Sequence, residues 1–270
     1  LLSELYLAKA NQILNNTSLA PEVARDQFQG SLGQAIENAR QGTVIDSSNY
    51  QNWGSLGTVY EAVVPLGITG AYENARGAYL KALALNPHGP AIYLTLARLE
   101  LAHKDEKAAR TYITQALAEK SNYTDAVFLL SQIEVQNNNI KSAITALESA
   151  ALFSPNDPTV YFQLGFLKYN NKDWNGAITA LERAAGLNNS YSNARYFLGL
   201  SYQQLGRRTD AITQFTEIEK FNPDNQEVKN ILTNLRAGRA PFANVTPPLD
   251  DKPEKRSTPP IKEKNSANEN

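Results

Sequence analysis

Cysteine is absent from this chain of 270 residues, and so is methionine. The first absence removes disulfides, thiolate nucleophiles and Cys-based zinc sites together, and leaves the redox compartment open. The second extends to position 1, so the chain is expected to be an excised segment or a processed product of something longer. Charge of either sign is also missing in excess. With 26 basic and 27 acidic side chains the net charge is −1, and nucleic-acid binding, which needs a basic footprint, is not expected. Long apolar runs are missing too. The longest, residues 62–68, contains Pro65 and Gly67 and is too short to span a bilayer. The opening stretch LLSELYLAKANQ carries Glu4 and Lys9 and lacks a continuous apolar core, so it is not expected to be a signal peptide.

Catalytic signatures are equally scarce. No HExxH, G-x-S-x-G, P-loop or glycine-rich nucleotide fingerprint occurs. His88 and His103 are the two histidines, and the periodicity below puts them in turns at opposite ends of neighbouring helices, unable to share a metal. Asp105-Glu106 and Asp250-Asp251 read as solvated charges. No catalytic residue, metal site or cofactor is expected, and this segment is not expected to be an enzyme.

What is present is a period. Pro87, Ser121, Pro155, Asn189 and Pro223 follow one another at intervals of 34 residues, the spacing of stacked helix–turn–helix units. Five blocks result, at residues 50–89, 90–123, 124–157, 158–191 and 192–225, the first lengthened by an insertion over Glu61 to Gly70. The first helix of each block carries a bulky, an apolar and a small residue on one face. The triplets are Trp53/Leu56/Gly57, Tyr93/Leu96/Ala97, Val127/Leu130/Ser131, Tyr161/Leu164/Gly165 and Arg195/Leu198/Gly199. The second helix alternates small and large, as in Ala75/Tyr79/Ala82, Ala143/Leu147/Ala150 and Ala177/Leu181/Ala184, the pattern that interdigitated helices require.

This pattern resembles the tetratricopeptide repeat (TPR) family, whose Trp–x–x–Leu–Gly–x–x–Tyr run stands here as Trp53, Leu56, Gly57 and Tyr60. The family's alanines and closing proline match at Ala75, Ala82 and Pro87, and again at Ala143, Ala150 and Pro155. The resemblance implies an all-α, right-handed α-solenoid whose first helices line a concave groove. Two positions per helix would face it, holding Gly54, Leu94, Phe128, Phe162 and Tyr196, then Thr58, Arg98, Gln132, Phe166 and Leu200. Phe162, Phe166, Tyr169, Tyr196 and Leu200 would form an apolar-aromatic shelf beside the amides of Gln132, Gln136, Asn170, Gln203 and Gln204. Rings that bury side chains and amides that bond a backbone suit an extended peptide. Arg98 is the sole cation among the ten groove positions, so the carboxylate clamp of some TPR co-chaperones is not expected.

The remaining segments complete the plan. Residues 1–49 read as an atypical N-terminal helical hairpin. Residues 226–239, with Val228, Ile231, Leu232 and Leu235 on one side, read as a capping helix. Residues 240–270, rich in proline, charge and asparagine and with Thr-Pro-Pro at 246–248 and 258–260, read as a disordered tail. The insertion is open to two readings, a structural extension packed on the N-terminal hairpin or a docking patch. The function expected is non-catalytic protein–protein interaction in the groove. Two alternatives stand beside it. One is a structural spacer that joins copies of the chain. The other follows from a resemblance of residues 52–87 and 222–239 to TPR regions behind bacterial O-antigen ligase or polymerase-type membrane proteins. That resemblance implies an extracytoplasmic appendage, where the first reading is compatible with the cytoplasm.

Overall fold

The computed structural model describes residues 2–243, Pro253 and residues 259–262, and among them the regular structure is helical. Thirteen α-helices follow one another: α1 (Leu2–Leu14), α2 (Pro21–Ile45), α3 (Tyr50–Glu61), α4 (Ala71–Leu85), α5 (Pro90–Ala102), α6 (Glu106–Glu119), α7 (Thr124–Gln136), α8 (Ile140–Phe153), α9 (Pro158–Asn170), α10 (Trp174–Leu187), α11 (Ser192–Gln204), α12 (Arg208–Phe221) and α13 (Gln226–Arg236). The chain divides within α7 into two compact units, Leu1–Leu129 and Leu130–Asn270. In the first, each helix from α1 to α6 packs on the next. In the second, α8 to α13 do the same, and α11 also touches α9.

The facing of small against large residues is the packing rule of each hairpin. A methyl group added to Gly57 of α3 would stand 2.5 Å from the Tyr79 ring of α4. One added to Gly165 of α9 would stand 2.5 Å from Leu181 of α10, and one on Gly199 of α11 would stand 2.7 Å from Phe215 of α12. Close-packed interiors leave no room for that carbon, so the glycine is what lets the second helix approach.

The turns inside the last four hairpins, from α5–α6 to α11–α12, are built the same way. Lys104, Asn138 and Lys172 have φ of 67°, 59° and 62°, and Gly206 has 74°. These four positions repeat the 34-residue interval, and Gly70, at φ 78°, extends the series one block earlier. At each of the four, two hydrogen bonds close the preceding helix. In the second block Lys104 N–H donates to Leu101 O at 3.0 Å and Asp105 N–H donates to Glu100 O at 2.8 Å. The fourth block repeats this with Lys172 to Tyr169 O at 2.9 Å and Asp173 to Lys168 O at 2.9 Å. This is the Schellman closure, which satisfies orphan helix carbonyls through one left-handed residue. Asp105 and Asp173 then cap the following helices, accepting from Ala108 N–H and Gly176 N–H, both at 2.9 Å. One residue thus ends a helix and begins the next.

The insertion departs from that turn. It forms a 3-10 helix (Val64–Leu66) and a left-handed Gly67. Val63 is buried in a core cluster with Leu32, Ala35 and Ala39 of α2, and Val64 packs against the same cluster. Leu66 and Ile68 are 48% and 40% exposed. Of the segment expected to be disordered, residues 244–252, 254–258 and 263–270 lie outside the described residues. The described part holds three buried residues, Pro241, Pro253 and Ile261, and the last lies within the core of the second unit. No described helix is long and apolar enough to cross a membrane.

Candidate functional site

The expected shelf residues fall in different environments. Arg98 (exposed) and Phe128 (half-buried) belong to the first unit, and the other ten to the second. On α9, Phe162 and Phe166 are half-buried and their rings stack at 6.1 Å. Tyr169, Tyr196 and Leu200, by contrast, are enclosed, at 7%, 0% and 2% exposure. The link between the two groups is Phe197, a residue outside the groove positions assigned from the sequence. Its ring lies 4.8 Å from Phe166, 5.4 Å from Tyr169 and 5.4 Å from Tyr196. These tilted and edge-on contacts match the preference of ring quadrupoles, which holds the two accessible phenylalanines in fixed positions.

The amides assigned to the groove lie on α7, α9 and α11. Gln132, Gln136, Asn170 and Gln204 are exposed, while Gln203 is half-buried with its Oε1 enclosed and without a hydrogen-bond partner. The Tyr196 hydroxyl donates to Glu227 at the start of α13, and the Tyr202 hydroxyl donates to Glu182 of α10. Burial and the bond to Glu182 push the Tyr202 phenol up to about 12. These bonds tie α11 to its neighbours and explain why Tyr196 points into the core.

Two asparagines on neighbouring helices hold main chain. Asn193, one turn before Tyr196 on the same face of α11, is 3% exposed. Its Nδ2 donates to Ile261 O at 2.8 Å, and its Oδ1 accepts from Ile261 N–H at 3.0 Å. Asn234 of α13 donates to Pro241 O at 3.0 Å and Ala243 O at 2.7 Å, securing the chain that leaves α13. The sequence marks neither residue, although Asn193 extends the Tyr196–Leu200 face by one helical step.

A second polar cluster lies in the first unit. Glu100 of α5, only 1% exposed, accepts from Tyr72 Oη at 2.7 Å and from Arg76 Nε at 2.8 Å. His103 stacks on Tyr72 with centroids 3.7 Å apart. The adjoining cavity, about 320 Å³, is lined by Tyr72, Glu73, Arg76, Leu80 and Asp105 among others. Burial and the bond to Glu100 raise the Tyr72 phenol to about 12. Both Glu100 oxygens are held from α4, so the trio reads as a bracket between α4 and α5. His88 meets Glu119 at 3.0 Å. Among the described residues no group of three or more acidic or histidine side chains is placed to hold a metal ion.

Comparison with known proteins bears on the class. Two tetratricopeptide-repeat models match residues 69–123 and 100–164, and the model for anaphase-promoting complex, cyclosome, subunit 3 matches residues 136–218. The chain belongs to the tetratricopeptide-repeat family. None of the curated proteins matches it. Among solved structures it is similar to the C-terminal part of a TPR protein from Cytophaga hutchinsonii (13% identity, TM-score 0.60, covering 76% of this chain and 81% of that one). It is also similar to pilF of Pseudomonas aeruginosa (15%, 0.51, covering 88% and 97%). A third is YrrB, described as a TPR protein with an unusual peptide-binding site (18%, 0.50, covering 72% and 97%). At these identities the likeness shows the fold, a TPR-type α-solenoid. The resemblance to membrane glycan-assembly proteins draws no support from these matches.

Proposed function

We propose that the chain is a non-catalytic scaffold, and that the face made by α9 and α11 in its second unit binds an extended segment of a protein partner. The five-block division of residues 50–225, capped by residues 226–239, is part of this proposal. The observation that carries it is the contrast within one aromatic cluster. Phe162 and Phe166 stay partly exposed against the buried Phe197 and Tyr196, a fixed apolar platform on helices that also carry the exposed amides of Asn170 and Gln204. Rigid rings lose little entropy on binding, and amides offer donors and acceptors to a peptide backbone. Gln132 and Gln136 of α7 would extend that rim. The peptide-binding site reported for YrrB, a protein of the same fold, is consistent with such use.

The test is selection of ligands from a display library of random short peptides on the full chain, followed by affinity measurement on Phe162→Ala/Phe166→Ala. Selected peptides should lose about tenfold or more in affinity, since two central aromatic contacts are removed. Unchanged affinity on a variant with native circular dichroism overturns the proposal. Tyr196 is left intact because its enclosure makes it a folding position.

A further inference from the structure

The described part of the tail presents the unit with a ligand of its own. Asn193 pairs with both polar groups of the Ile261 main chain, donating to the carbonyl at 2.8 Å and accepting from the N–H at 3.0 Å. That is the complement a neighbouring β-strand residue would offer, supplied here by a single carboxamide. The contact joins residues 68 apart in sequence, and both partners are enclosed, Asn193 at 3% and Ile261 at 1% exposure. The isoleucine side chain enters the same apolar cluster as Tyr196, Leu200 and Phe197.

The segment suits this capture. Pro259 and Pro260 lack N–H groups, so Ile261 is the first residue after them that can satisfy both groups of the Asn193 carboxamide. Consecutive prolines also restrict the approach through their fixed φ, which reduces the ordering cost of binding. The chemistry appears twice in the tail, as Thr-Pro-Pro-Leu at 246–249 and Thr-Pro-Pro-Ile at 258–261.

We infer that Asn193 and the adjoining apolar cluster form a binding site for a Pro-Pro-aliphatic segment, that residues 259–262 fill it intramolecularly, and that an external segment of this chemistry must displace them. The inference rests on the reading that α9 and α11 accept extended chain, and gives that site a ligand class and a built-in competitor. A tethered competitor present at an effective concentration of about 1 mM weakens an external ligand of about 0.1 mM affinity roughly tenfold.

The probe is a fluorescent peptide copying residues 253–266, titrated by anisotropy against full-length chains. Leu249→Ser/Ile261→Ser removes both internal copies of the aliphatic residue and should bind the peptide about tenfold more tightly than the unaltered chain. Adding Asn193→Ala to that double variant should abolish the gain. Equal binding by the unaltered and double-variant chains, or no binding by the double variant, overturns the inference. Hydrogen exchange on the unaltered chain gives an independent readout, because the Ile261 amide should be protected relative to that of Lys262, and equal exchange also refutes the contact. If library peptides depend on Phe162 and Phe166 while the tail peptide binds neither chain, this inference fails and the proposed function stands. If the tail peptide binds through Asn193 and the Phe162/Phe166 variant loses nothing with library peptides, the reverse holds.

Discussion

Gly57→Ala and Gly77→Ala make the same chemical change twenty residues apart in one hairpin, and the structure assigns them opposite signs. Alanine is the better helix former at both. At Gly57 the new carbon would lie 2.5, 2.6 and 2.9 Å from three atoms of the Tyr79 ring. The ring cannot swing aside cheaply. Tyr79 is 3% exposed, and its hydroxyl donates to Glu61 and lies 3.3 Å from Thr58 Oγ1. Clearing ordinary contact distance requires close to 1 Å of movement by a buried, hydrogen-bonded ring, and overpacking of this kind costs about 1–3 kcal/mol. At Gly77, an exposed position in the middle of α4, a Cβ meets nothing within 4 Å. There the loss of glycine's conformational freedom should stabilise by about 0.5–1 kcal/mol. Urea unfolding followed by far-ultraviolet circular dichroism reads both. Shifts of the same sign, or a Gly57→Ala chain as stable as the parent, would refute the packing argument.

Other perturbations test separate features. Lys172→Gly relieves a left-handed backbone worth about 1 kcal/mol, partly offset by glycine's freedom when unfolded, so a net gain of about 0.5 kcal/mol is expected in the same denaturation assay. Arg76→Met leaves the enclosed Glu100 carboxylate with Tyr72 alone, and a loss of about 1–3 kcal/mol is expected; a neutral result would show the bracket to be idle. Tyr72 and Tyr202 keep their protons to about pH 12 when folded but release them near pH 10 when unfolded, so their contribution is whole below pH 10 and lost between pH 10 and 12. Burial of Tyr79 acts in the same direction. Thermal melts across that window should fall steeply, and less steeply for Tyr72→Phe/Tyr202→Phe.

How much of this was legible depended on distance along the chain. The glycine and alanine positions facing Tyr79, Leu181 and Phe215 follow from a period of 34 and a helical repeat, because partners within one hairpin are close in sequence. The left-handed turn was hidden by composition: Lys104, Asn138 and Lys172 hold a conformation usually announced by glycine, although Gly70 and Gly206 keep the same phase. The candidate groove residues lie on the first helices of their hairpins, and their burial depends on neighbours such as Phe197, Glu227 and α13. The Asn193–Ile261 pair had no local signal. A proline-rich, charged stretch carries nothing to indicate that one of its aliphatic residues is captured by a helix so far upstream.

The shared turn residue bears on how such a chain acquires its structure during synthesis. Asp105 and Asp173 each finish one helix and start another, so the two helices are joined at the moment the turn forms. Very little loop entropy has to be spent before the facing surfaces meet. A hairpin can therefore close as soon as it leaves the ribosome, without waiting for residues still to be translated. The exception is the tail contact, because Ile261 can reach Asn193 only after residues 194–261 have been made. During translation the proposed site on α11 is consequently open to other segments, and it becomes self-occupied only once Ile261 has been made.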